Sequence, residues 1–169
     1  MTSLFSAMGM DAILSTGSPL KTKVLSSPIG PITIIGKDNV ITGILLGRRI
    51  DTNGETIPIL EKVEELISHY LDGEKVDFRG ISILLPEHLK AFFRSVMEIP
   101  YGEAVSYKEI AKRNGIHPRT AGLYLSKNPV PIIVPCHRVI KKDGTIGGFT
   151  AGIEWKKFLL RIEGITNIG

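Results

Sequence analysis

Cys136 is the only cysteine in a chain of 169 residues. No disulfide can form within the chain, and no zinc site built on several thiolates can staple it together. The fold therefore rests on a hydrophobic core, and a composition of 43% hydrophobic and 22% charged residues supplies one. The same proportions exclude wholesale disorder. No apolar run approaches the roughly 18 to 20 residues that cross a bilayer, so no membrane partner is expected. Residues 1–20 are rich in Ser, Thr and Gly and lack Lys and Arg. A secretory signal needs a positive start, so this stretch reads as a mobile tail or an alternative start region, and the chain as cytoplasmic, nucleoid-associated if its source is prokaryotic.

The first half reads as a small α/β unit. Ile32 to Ile35 and Val40 to Leu46 are β-branched, apolar runs, bounded by turns at Ser27–Pro31 and Lys37–Asn39. Val63, Leu66, Ile67, Tyr70 and Leu71 have the spacing of a half-buried helix that Asp72-Gly73 ends. Phe78 to Leu85 reads as a linker or a last strand. The second half reads as mostly helical. Pro86 suits the first position of a helix whose apolar face is Leu89, Phe92, Phe93, Val96 and Met97. Ser106-Tyr107-Lys108-Glu109 is a capping box that opens a short helix ending at Asn114-Gly115. A second short helix runs from Pro118 to about Lys127. The pair fits a helix-turn-helix or a plain αα-corner equally well. Asp143-Gly144 and Gly147-Gly148 mark a hairpin or wing, and Ile153, Trp155, Phe158, Leu159 and Ile162 line a last helix. Charge follows the same division: residues 1–85 carry a net −2 and residues 86–169 a net +6. A basic second half is what a polyanion partner requires, though many basic domains bind none.

Chemistry concentrates at Cys136. Prolines at 131 and 135 and an apolar run hold the thiol on a stiff segment, and His137 and Arg138 follow it. A free thiol has a pKa of about 8.5, so it is mostly protonated at neutral pH. An adjacent imidazole can take its proton, and a carboxylate such as Glu163 can orient the imidazole. Isolated, a Cys-His pair is more often an inert buried cysteine beside a surface histidine.

The surroundings decide between those readings. Asn128-Pro129-Val130-Pro131-Ile132-Ile133-Val134-Pro135-Cys136-His137-Arg138-Val139-Ile140 resembles the active-site signature of the O6-alkylguanine-DNA alkyltransferases, the methylated-DNA–protein-cysteine S-methyltransferases. The resemblance extends through Pro100 to Tyr107, Arg119, Gly147-Gly148-Phe149 and the Trp155–Glu163 helix. It implies an α+β fold, with a tail at 1–20. An RNase H-like α/β domain would span 21–85, and a winged helix-turn-helix-like DNA-binding and alkyl-transfer domain 86–169. It implies DNA repair by irreversible transfer of an alkyl group from O6-alkylguanine to Cys136. The nucleotide would be flipped out of the duplex, no cofactor would be needed, and each molecule would act once.

Residue roles follow from the same resemblance. Cys136 is the nucleophile, His137 the base acting through a bridging water, and Glu163 the holder of its ring. Asn128 braces the active-site turn, and Tyr107 donates toward the departing guanine. The carbonyls of Cys136 and Val139 and the amide of Thr150 line the substrate pocket together with Phe149 and Ala151. Arg119 is the finger that fills the stack, on a helix whose small residues Thr120, Ala121 and Gly122 enter the minor groove of double-stranded DNA. Arg138, with Lys108, Lys112, Arg113 and Lys127, is expected to meet phosphates. The protein is expected to be a monomer without a metal. Each position has a plainer reading: Tyr107 as packing, Asn128 as a helix C-cap, Glu163 as a solvated surface residue, Arg119 as a phosphate contact. Phe149 stands where Tyr is common and Ala151 where some members have Gly, while Tyr124 and Leu125 are bulky enough to face the core. Two other functions remain open: a lesion-binding protein without chemistry, which would lack the cysteine, and a thiol hydrolase, which would not need the DNA-binding helices.

Overall fold

The computed structural model describes residues 17–169; of the expected tail, residues 1–16 lie outside them. Three antiparallel strands form a meander in the order β1 (Lys21–Ser27), β2 (Gly30–Lys37) and β3 (Val40–Leu46). The turns fall where Pro28-Ile29 and Asp38-Asn39 punctuate the pattern, and Asp38 takes the left-handed φ of 52° that a tight turn requires. Helix α1 (Pro58–Leu71) covers the sheet. It starts a turn earlier than the Val63 periodicity indicates, with Pro58 in its first turn, and buries Ile59, Leu60, Val63, Ile67 and Tyr70. Residues 78–85 form neither a plain linker nor a full strand. They touch β3 through one bridge, Ile41 to Ile83, with Ile41 N donating to Ser82 O and Leu84 N to Ile41 O.

A short 3₁₀ turn (Glu87–Leu89) leads into α2 (Lys90–Met97). Pro86 is the residue before the turn, not its first member, because its ψ of 127° is extended. Then come β4 (Val105–Ser106), α3 (Tyr107–Arg113), α4 (Pro118–Leu125), a 3₁₀ turn at Cys136–Arg138, β5 (Val139–Ile140) and α5 (Ile153–Ile162). The Ser106 hydroxyl accepts from Glu109 N at 3.0 Å, but the Glu109 carboxylate pairs with Arg113 at 2.5 Å. Only half of the capping box forms, since a cation at i+4 competes for the carboxylate. The expected wing is a hydrogen-bonded turn at 141–145, following β5, which pairs in parallel with β4. Helices α3 and α4 pack on each other across residues 114–117 as a helix-turn-helix.

One buried cluster runs through both halves, from Ile32 and Ile44 to Phe93, Val134 and Leu159. Ile44 N donates to Pro129 O at 2.9 Å, joining β3 to the segment before Cys136. Gly47, at φ 75°, lies so close to Trp155 that a Cβ would sit 2.9 Å from the indole nitrogen, so only glycine permits this approach. No helix among the described residues is long and apolar enough to cross a membrane.

Candidate active site

The segment 128–135 is a compact turn held by one side chain. Asn128 Nδ2 donates to Val134 O at 2.9 Å, and Asn128 Oδ1 accepts from Val130 N at 3.0 Å. Asn128 is therefore a brace; the helix before it is capped by Ser126. Within the turn Ile132 has a φ of 75°, a conformation that is a genuine outlier for a β-branched residue. Strain of this kind costs roughly 1–3 kcal/mol and persists only where the surroundings over-determine it. Asn128 and Pro129, Pro131 and Pro135 supply that constraint and deliver Cys136 to the wall of a cavity.

The cavity, about 1110 Å³, opens between the two halves of the chain. Ile29, Ile44 and Gly47 from the first half and Tyr107, Cys136 and Trp155 from the second line it. Phe149, Thr150 and Ala151 also line the cavity, together with Gly122. Gly147 lets the Tyr107 ring seat here: a Cβ on it would fall 3.0 Å from the phenol oxygen. The Tyr107 hydroxyl is 3.4 Å from Lys156 Nζ and 3.5 Å from Gly148 O. Val139 is fully buried and forms no wall of the cavity; its carbonyl accepts from Lys156 Nζ at 2.7 Å.

Behind the thiol lies a buried charge cluster. His137 is 0% exposed, and its Nε2 lies 3.1 Å from Glu163 Oε1. Arg138 grips the same carboxylate with Nε at 2.9 and 3.0 Å and a terminal nitrogen at 2.6 Å. Its other terminal nitrogen donates to Ile99 O at 2.7 Å, and its guanidinium lies 5.8 Å from the centre of the Tyr101 ring. The expectation that Arg138 meets phosphate is thus corrected: its donors are engaged inside the protein. His137 Nδ1 is buried with no hydrogen-bond partner among the described residues. With Nε2–H directed at a carboxylate, Nδ1 carries the lone pair and can accept a proton.

Burial pushes the Cys136 thiol above its ordinary pKa; a hydrogen bond from Asn128 and the charge of Lys156 pull the other way. Burial also lowers the His137 pKa, against the pull of Glu163, which keeps the ring neutral near pH 7. Lys156 is 1% exposed, and burial brings it down to about 8. Burial raises Glu163, but hydrogen bonds from His137 and Arg138 overcome this and hold it at about 2.

Two groups in this cluster escape sequence reasoning. Tyr70, on α1, donates to Glu163 Oε1 at 3.1 Å and lies 3.2 Å from His137 Nε2. Its periodic position reads only as apolar; the signal is that a fully buried tyrosine needs a partner for its hydroxyl. Lys156 stands on the buried face of α5 with Leu159, Leu160 and Glu163, at spacings of 3, 4 and 7, and was readable as an inward cation.

On the helix-turn-helix, Arg119 is exposed in the first turn of α4, and its side chain has no partner among the described residues. Thr120 is half-buried beside it. Ala121 corrects the expectation of a DNA-facing residue: it is 0% exposed, on the inward stripe with Leu125 one turn on. Tyr124 packs on Phe92, with ring centres 5.3 Å apart, so it faces the core as its bulk suggests. Arg113 is paired with Glu109, while Lys108 and Lys112 are exposed.

Similarity to known proteins falls on both halves. Residues 20–85 match the model of the 6-O-methylguanine DNA methyltransferase ribonuclease-like domain, and residues 87–165 that of the 6-O-methylguanine DNA methyltransferase DNA binding domain. A methylated-DNA–protein-cysteine methyltransferase of Methanothermobacter thermautotrophicus is 37% identical over 149 residues, covering 84% of each chain. One from Metallosphaera sedula is 34% identical, covering 82% of this chain and 89% of its own. The crystal structure of Mycobacterium tuberculosis O6-methylguanine methyltransferase superposes with a TM-score of 0.72 at 33% identity, over 85% of this chain and 92% of that one. A structure of M. tuberculosis OGT in complex with DNA gives 0.70 at 32% identity, over 86% and 92%.

The Glu163 cluster sets an acid limit on stability. A carboxyl held near 2 in the fold and at 4.5 when free favours folding fully above pH 4.5, and that contribution drains away as pH falls toward 2. Glu163→Gln is expected to cost about 3 kcal/mol at neutral pH by leaving Arg138 without its buried partner. Denaturant melts across pH 2 to 7 check this: the variant's loss should shrink steadily below pH 4.5, whereas a loss independent of pH would contradict it.

Proposed function

This chain belongs to the 6-O-methylguanine DNA methyltransferase family, and from that premise we propose that it repairs DNA by moving an alkyl group from O6 of guanine onto Cys136. DNA is its partner, and the lesion it takes is O6-alkylguanine in a duplex. The observation that carries this reading is the buried Cys136 in the wall of the cavity, next in sequence to a neutral histidine whose Nδ1 is unpartnered among the described residues. A protein that only binds lesions has no need of this arrangement.

The reaction balances without an outside reagent. His137 Nδ1 takes the thiol proton through a water. The sulfur lone pair attacks the alkyl carbon, an S–C bond forms, the C–O6 bond breaks, and its electron pair goes to guanine. The guanine anion takes back one proton, in net the one held on His137 and returned through water, and leaves restored; the thioether stays. Lys156 offsets negative charge at sulfur before the attack, and it contacts the hydroxyl of Tyr107, which lines the cavity and serves as donor toward the departing base. Asn128 holds the turn so that sulfur does not withdraw. Nothing in this scheme regenerates the thiol, so one molecule removes one alkyl group.

A duplex keeps O6 out of reach of a buried thiol, so the nucleotide is extruded through the minor groove at a cost of a few kcal/mol. Arg119 fills the gap, and Thr120 and Gly122 let α4 approach. Residues 21–85 form the scaffold domain and 86–169 the domain that holds DNA and does the chemistry, in a cytoplasmic monomer.

Incubation with an O6-methylguanine oligonucleotide, followed by peptide mass measurement, is expected to find one methyl group per protein on the Cys136 peptide. Turnover beyond one equivalent, or methyl on another residue, would overturn the scheme. Cys136→Ala should bind the same duplex and transfer nothing.

Arg119 acts on extrusion, not on chemistry. Arg119→Ala is expected to slow transfer from duplex DNA by tenfold or more, about the worth of one desolvated charge-assisted contact. Transfer from free O6-benzylguanine should stay within about twofold, since small surface changes are nearly neutral. Single-turnover rates on both substrates decide it, and equal slowing would count against the finger.

A further inference from the structure

Tyr70 belongs to the first half of the chain, 67 residues before His137 and 93 before Glu163, yet its hydroxyl meets both. Its ring is 1% exposed and wedged edge-on between Tyr101, at 6.2 Å, and His137, at 6.4 Å. Tyr101 ties the same seam from the other side, its one hydroxyl proton shared between Gly73 O after α1, at 3.0 Å, and Ile162 O at the end of α5, at 3.2 Å. The hydroxyl of Tyr70 has one proton, and Glu163 Oε1 at 3.1 Å receives it. Its oxygen is then an acceptor, 3.2 Å from His137 Nε2. His137 Nε2 thus faces two oxygens that can only accept from it, Glu163 Oε1 and Tyr70 Oη. A lone pair at Nε2 would be repelled by both.

We propose that Tyr70 is a positioning residue for the alkyl transfer: through Glu163 and His137 Nε2 it locks the imidazole in the tautomer that leaves Nδ1 free to accept the Cys136 proton. This rests on the assignment of Cys136 and His137 given above. The residue that sets the base therefore comes from the ribonuclease-like half, so the division of labour between the halves is incomplete: α1 contributes to the chemistry, not only to the frame.

The charged and titratable groups around His137 are Lys156 from α5 and Glu163 at its C-cap, Arg138 and Cys136 from its own turn, and Tyr70 from α1, with Tyr101 behind Arg138. Removing the Tyr70 hydroxyl takes a donor from Glu163. The carboxylate then holds an imidazolium more strongly, so His137 protonates at a higher pH.

The test is Tyr70→Phe, which keeps the buried ring and deletes one oxygen, alongside wild type, Glu163→Gln and the double variant. Single-turnover transfer from free O6-benzylguanine and from duplex DNA should fall by the same factor, about tenfold for a lost hydrogen bond to a charged group. DNA affinity should be unchanged, and the acid limb of the pH–rate profile should move to higher pH. Because Tyr70 and Glu163 act on the same nitrogen of His137, the double variant should lose less than the product of the two single losses, whereas independent effects would multiply. All rates are taken at a temperature where circular dichroism finds each variant folded. A wild-type rate and pH profile in Tyr70→Phe, or multiplied effects in the double variant, would overturn the proposal while leaving transfer to Cys136 standing. Failure of the wild-type protein to transfer at all would instead remove the reading on which it rests.

Discussion

Glu163 is a buried carboxylate that receives hydrogen bonds from three side chains: Tyr70 on α1, and His137 and Arg138 in the active-site turn. An isolated carboxylate at such a depth would be prohibitively costly, so the three donors are a condition of its ionisation. Much else depends on it. It fixes the ring of His137, consumes the guanidinium of Arg138, and anchors the end of α5 to α1 across the seam between the halves. Because Arg138 also donates to Ile99 O, the cluster extends to the loop that enters β4 and the helix-turn-helix. The site is thus stabilised by groups that the chemistry also uses.

The thiol lies under opposing influences. Burial keeps it protonated, and a protonated thiol in a tight apolar turn is protected from stray oxidation. Asn128 and Lys156 lower the cost of ionisation, and neutral His137 offers a place for the proton. Lys156, itself reluctant to hold its charge in this setting, gains from a nearby thiolate. Charge on sulfur and charge on Lys156 therefore support each other, while neither is comfortable alone. The strained φ of Ile132 belongs with this arrangement: the turn that exposes sulfur to the cavity is not one the backbone would choose unaided.

The sequence discloses the site where its parts are contiguous. Asn128 to Ile140 holds the brace, the prolines, the nucleophile and the base within one run, and the spacing to Glu163 brings the carboxylate in. The β2–β3 hairpin and most helices were legible from period and turn residues, down to the punctuation at Asp38-Asn39 and Asp72-Gly73, whereas the two-residue strands β4 and β5 carry no periodic signal. What the sequence hid depends on distant partners. Tyr70 reads as one more core position, since nothing local announces a carboxylate 93 residues away. Arg138 reads as a surface cation until Glu163 and Ile99 are found around it. Ala121 reads as a small residue suited to DNA until the phase of α4 turns it inward, and Glu109 reads as a cap until Arg113 takes its carboxylate.

The account depends most on which nitrogen of His137 carries the proton. Nitrogen-15 NMR of the ring, assigned with a His137→Gln control and recorded near pH 7, reads this directly. The account predicts a neutral imidazole with its proton on Nε2, facing Glu163 and Tyr70, and a bare Nδ1 ready to accept. A proton on Nδ1, or an imidazolium at that pH, would contradict it, because no lone pair would then be available to receive the proton of Cys136.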